Sequence, residues 1–84
     1  MERTTEVKIY PNPVVETLNV VCAFDSESVT YAIYDFSGKQ VYVDTDAVKA
    51  GAVKSINVSN LVDGVYILKV ASANNTYVHH FVKK

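Results

Sequence analysis

Few residues in this chain could do chemistry, and their spacing is poor for it. His79 and His80 are the only histidines. As neighbours on an extended strand they point to opposite faces, so they cannot grip one metal ion together. A solvent-facing or hydrogen-bonded role is expected for each. Asp25, Asp35, Asp44, Asp46 and Asp63 fall at turns or strand ends, where aspartate is a common turn former. Asp44-Thr45-Asp46 offers two of the carboxylates a calcium loop would use, but the D-x-D-x-D-G spacing is missing. Cys22 is the single cysteine, so no intramolecular disulfide can form. It lies in an apolar run, which reads as a buried small hydrophobe and not as a nucleophile. There is no G-x-S-x-G elbow and no glycine-rich phosphate loop. Sequons at Asn57 and Asn74 are tripeptides that arise readily by chance. The residues therefore predict no catalysis, no metal and no cofactor.

Composition narrows the classes further. The 84 residues have room for one core, with residues 1–6 read as a linker. Hydrophobic residues make up 49% and charged residues 20%, the balance of a folded globular chain. The net charge is −1, and the basic residues are scattered apart from Lys83-Lys84, so no nucleic-acid partner is expected. No apolar run approaches the ~18 residues of a membrane helix. The opening MERTTEVK has no signal-peptide core, so an exported chain would carry its signal upstream.

The elements that must position these residues repeat with a period of two. Leu18, Val20, Cys22 and Phe24 share one face, and Val29, Tyr31 and Ile33 share another. Strands are predicted near 7–10, 17–24, 29–35, 39–44, 52–58, 64–71 and 76–83. Turn signals separate them: DSES, SGK around Gly38, KAG at Lys49–Gly51, VDG at Val62–Gly64, and ANN at Ala73–Asn75, where asparagine tolerates positive φ. TDAVKAG is the one stretch with a helical alternative. Seven short strands predict an all-β, immunoglobulin-like antiparallel sandwich, with a small Greek-key barrel as the alternative. Leu61, Gly64 and Tyr66 resemble a tyrosine corner, in which the hydroxyl bonds back to upstream backbone. Pro11 and Pro13 cannot donate to a ladder, so they end the first strand and carry the chain from one sheet edge to the next. Tyr31, Tyr34, Tyr42, Tyr66 and Tyr77 would form a sugar-stacking patch only if several shared an exposed face; strand tyrosines are more often packing residues.

Four stretches occur in a distinctive order: YPNPVVETLNV, YAIYDFSGKQVY, INVSNLVDGVYILKV and YVHHFVKK. Together, from about Lys8 to Lys84, they resemble the C-terminal sorting domain of type IX (Por) secretion cargo from Bacteroidetes bacteria. The opening motif falls on Tyr10, Pro11, Asn12 and Pro13, and the middle one on Tyr34, Asp35, Gly38 and Lys39. The late motif falls on Leu61, Gly64, Tyr66 and Leu68, and the terminal one on Phe81, Val82, Lys83 and Lys84. Val62-Asp63 stands where the family often has a proline before the glycine, which loosens that turn slightly.

The resemblance implies an immunoglobulin-like sandwich that ends an exported protein. Such a domain passes through the periplasm, is recognised by the outer-membrane type IX translocon, and is usually removed by a sortase-like protease. The cargo upstream in the same chain is then released or held at the cell surface. Most motif residues read as turn and core chemistry. Phe81, Val82 and the exposed lysines Lys83 and Lys84 are the candidates for translocon recognition. Two rival functions are a sugar-binding or adhesive module and a pure spacer.

Overall fold

A computed structural model of the chain describes residues 6–73 and 75–84. Its strands are β1 (Val7–Tyr10), β2 (Thr17–Cys22), β3 (Ser26–Tyr34), β4 (Gln40–Val48), β5 (Val53–Asn57), β6 (Gly64–Ala71) and β7 (Thr76–Lys83). They form two antiparallel sheets, one ordered β1-β2-β5 and the other β4-β3-β6-β7. Each sheet puts its apolar alternate residues inward. Leu18, Val20 and Cys22 of β2 and Ile56 of β5 meet Val29, Tyr31 and Ile33 of β3, Leu68 and Val70 of β6, and Phe81 of β7. The predicted sandwich is the observed one.

Two departures from the predicted elements have one cause. β4 does not stop near residue 44 but runs on to Val48, so TDAV is strand and not helix. Its partner β3 starts correspondingly early, at Ser26. The two pair as Thr30↔Thr45, Val29↔Asp46 and, after a bulge, Ser26↔Val48. Cross-strand pairing satisfies the backbone of a segment whose own side chains favour no strand, as bulges allow at a sheet edge. The Thr30 and Thr45 hydroxyls also meet at 3.3 Å. The last hairpin is tied by Ser72, whose N–H donates to the Asn75 carbonyl at 2.8 Å. No non-glycine residue among those described has positive φ, Asn75 included, while Asn74 lies outside the described residues, as do residues 1–5.

Opposite edges of the sandwich are closed differently. On one side Lys54 of β5 reaches across to β4, with Nζ 2.7 Å from Asp44 and 3.3 Å from Asp46. The same ammonium lies 5.5 Å from the centre of the Tyr31 ring. Its hydrogen bond to Asp44 holds that carboxyl below its ordinary range and raises the Lys54 pKa. The two carboxylates of the DTD stretch thus meet a lysine between the sheets. Among the described residues no three His, Cys, Asp or Glu side chains group to hold a metal ion.

Cys22 is fully buried beside Tyr31. Burial raises the thiol above its ordinary value, and it pushes the Tyr31 phenol up to about 12. A thiol kept protonated and out of solvent is a poor nucleophile. Native protein at pH 8 should therefore react with a thiol reagent at a small fraction of the rate measured in 6 M guanidinium. Equal rates in the two conditions would show that Cys22 is not in the core.

Candidate functional site

Strand directions decide where the four sequence stretches meet. β1 ends at Tyr10, β3 at Tyr34, β5 at Asn57 and β7 at Lys83, while β2, β4 and β6 begin beside them. The residues after β1, the β3–β4 turn, the β5–β6 loop and the end of β7 therefore lie at one end of the sandwich. Glu6, where the described chain begins, lies at the opposite end, with its carbonyl accepting from the Ala23 N–H at 2.8 Å. The motifs are scattered in sequence and adjacent in space.

The segment from Tyr10 to Val14 joins the sheets at this distal end. After β1 the chain leaves its own sheet and lies along the outer edge of β7. Val14 forms a parallel bridge with Lys83: its N–H donates to the Val82 carbonyl at 2.8 Å, and its carbonyl accepts from the Lys84 N–H at 2.9 Å. The Asn12 side chain continues the contact. Oδ1 accepts from the Val82 N–H at 3.0 Å, and Nδ2 donates to the His80 carbonyl at 3.4 Å. Both prolines follow cis peptide bonds. Asn12 thus supplies, from a side chain, the partners that a neighbouring strand would give, which covers part of an otherwise open sheet edge. The side chain of Val14 is wholly buried.

The middle and late motifs build the adjoining turns. Asp35 Oδ1 accepts from the Ser37 N–H at 2.9 Å, the Ser37 hydroxyl at 2.7 Å and the Lys39 N–H at 3.0 Å. These bonds, that to the Ser37 hydroxyl first, hold the Asp35 carboxyl below its usual pKa. Gly38 takes φ +89, a left-handed conformation that few other residues adopt without strain. Tyr66 is the predicted corner: its hydroxyl donates to the Val62 carbonyl at 2.5 Å, and its ring stacks on Phe81 with centroids 5.6 Å apart. Leu68 is fully buried and Leu61 packs on the core.

The terminal motif divides into two pairs. Phe81 and Lys83 point inward, whereas Val82 and Lys84 are exposed. The expectation of two exposed lysines holds for Lys84 alone. Lys83 is only 6% exposed, because strand alternation puts it on the same face as Phe81. Its ammonium donates to the Lys84 main-chain oxygen at 3.0 Å. Two apolar residues missed by the sequence reading stand out instead. Phe36, at the tip of the β3–β4 turn, is 91% exposed, and Val62 in the β5–β6 loop is 77% exposed. An apolar residue inside a turn with no strand to belong to was the available signal.

The tyrosines do not make a sugar platform. Tyr31, Tyr66 and Tyr77 are buried, and Tyr34 and Tyr42 are half-buried. Tyr77 stacks on Phe24 at 5.5 Å and donates to Glu6 at 2.6 Å. The histidines do face opposite ways: His80 is exposed, and His79 is turned inward and half-buried. The His79 ring bonds to the Val7 main chain, while its Nε2 is buried without a hydrogen-bond partner among the described residues.

The fold class is confirmed by a solved structure, a DUF3244 family protein with an immunoglobulin-like β-sandwich fold from Bacteroides vulgatus ATCC 8482. It matches with a TM-score of 0.78 at 18% identity, over 94% of this chain and 85% of that one. No curated protein matches the chain. The family described as "Secretion system C-terminal sorting domain" matches residues 8–84, and the chain belongs to it. It is a type IX secretion sorting domain, which places it in a secreted or cell-surface protein and implies contact with the secretion machinery and fusion to a cargo. No helix in the described residues is long and apolar enough to cross a membrane.

Two outcomes follow from this geometry. Tyr66→Phe removes the corner hydrogen bond but leaves the ring, and the carbonyl it frees belongs to Val62, an exposed loop residue. Stability should fall by about 1 kcal/mol, read as a lower urea midpoint at unchanged slope. For His79, burial lowers the ring's pKa below 6.5, opposed by the bond to Val7 and aided by His80. The unfolded chain then binds the proton more tightly, so stability is complete above pH 6.5 and declines as pH falls through that value. The thermal midpoint should drop between pH 7 and 5.5, and by less in His79→Gln; equal drops would assign the effect elsewhere.

Proposed function

We propose that this domain is a non-catalytic export signal, read by the outer-membrane type IX translocon through its distal end. The observation that carries the reading is the gathering of the motif residues Tyr10–Pro13, the Asp35–Lys39 turn, Leu61–Tyr66 and Phe81–Lys84 at the end opposite Glu6. A cargo domain upstream would leave that end free to be recognised. Val82 and Lys84 are the terminal residues a translocon subunit could touch, and Lys84 offers charge-assisted hydrogen bonds. Phe81 and Lys83 then act from inside, by holding β7 against Tyr66 and the Val14 bridge. The protein would cross the periplasm, pass the outer membrane, and lose this domain to a sortase-like protease, leaving the cargo outside or on the surface.

The test uses a periplasm-targeted fluorescent protein fused to residues 1–84 in a type IX-competent bacterium and in a translocon-deficient strain. The fusion should reach the medium or surface only in the competent strain. Val82→Ser combined with Lys84→Glu should reduce that export while leaving the thermal midpoint of the purified domain unchanged. Export of the double variant at the wild-type level would remove these two residues from recognition.

A further inference from the structure

We infer that the distal end carries a second contact, made by the tip of the β3–β4 turn: a docking site for a protein segment that presents an apolar side chain beside a lysine or arginine. The inference rests on the sorting reading and names a surface for it outside the terminal strand.

Phe36, Val62 and Val65 line one open cavity of about 280 Å³, together with Asp35, Asp63 and Tyr66. This is smaller than the ~300–1,000 Å³ of small-molecule pockets and suits a single inserted side chain. Val65 pairs across the ladder with Val82, so the apolar surface continues from the tip to the terminal strand. Lone exposed apolar residues are ordinary, but a cluster of them at one place marks a contact surface.

The surface is also preorganised. Asp35 and Gly38 fix the turn that holds Phe36 through three hydrogen bonds and a left-handed backbone, none of which uses the Phe36 side chain. The tyrosine corner bonds the Val62 carbonyl directly. An aromatic anchor on a fixed backbone loses only its side-chain freedom on binding, and such residues dominate interface energies. The rim selects the charge of the partner. Asp63 is exposed and has no ion-pair or hydrogen-bond partner among the described residues, and Asp35 lies on the same cavity beside Lys39. A cationic side chain next to the inserted apolar one would meet Asp63. The same carboxylates repel anionic lipid headgroups, which favours a protein segment over a membrane surface.

Four fusions in the export assay test this: wild type, Phe36→Ser/Val62→Ser, Asp63→Lys, and Val53→Ser as an exposed apolar control at the opposite end. The Phe36/Val62 pair should lower exported protein about tenfold or more, as expected for a lost anchor, with its thermal midpoint unchanged. Asp63→Lys should lower export as well, and Val53→Ser should leave it intact. Wild-type export of the Phe36/Val62 variant, or an equal loss in Val53→Ser, would overturn the site while leaving the sorting reading standing. Retention of the wild-type fusion in the competent strain would overturn the sorting reading and this site with it. Two companion measurements on the purified domain cover other occupants. Wild-type binding to phosphatidylglycerol vesicles that Phe36→Ser/Val62→Ser abolishes would reassign the tip to lipid. A sedimenting dimer that the same variant dissolves would reassign it to a second copy, and either result overturns the protein segment proposed.

Discussion

The structure depends on one constraint: the outer edge of β7 must be covered, and the chain between β1 and β2 covers it. An edge strand presents unpaired donors and acceptors that invite other strands. Here Asn12 and Val14 take up groups on His80, Val82 and Lys84. The contact is made by residues that belong to neither sheet. It fastens the three-stranded sheet to the four-stranded one at a single end, and it brings the opening motif against the terminal one. Proline suits this segment because a chain lying outside the ladder has no use for the missing N–H.

The opposite edge is managed by charge. Lys54 stands between Asp44 and Asp46 and beside the Tyr31 ring, linking β5 to β4. These are partly exposed ion pairs, and such pairs add modestly to stability. Their clearer effect is on register, since a one-residue slip of β4 would turn both carboxylates to the other face. One edge is thus closed by main-chain pairing and the other by a lysine.

At the distal end, rigidity and exposure occur together. Asp35, Gly38 and Tyr66 are turn and corner residues, yet what they hold in place is the backbone of Phe36 and Val62, whose side chains are largely exposed. Structural motif residues and contact residues are then neighbours with separate duties. Holding the turn falls to residues whose bonds are internal, and the proposed binding falls to those whose surfaces are exposed.

Much of this was legible in the sequence, because strand alternation and turn chemistry are local. The buried face of β2, the Gly38 turn, the tyrosine corner and the all-β class follow from residues within a few positions of one another. The full length of β4 did not, since TDAV is a strand only through its partner Ser26–Thr30. Lys83 was placed outside by its charge, but the alternation of β7 and the nearby Lys84 oxygen put it inside. Asn12 reads as part of a bend, and only folding reveals its bonds to residues 68 and 70 positions away. Sequence alone determined which residues could form strands and turns. Tertiary structure decided which edges meet, and so which of the motif residues are left exposed, because those pairings are set by backbone groups that are alike at every position.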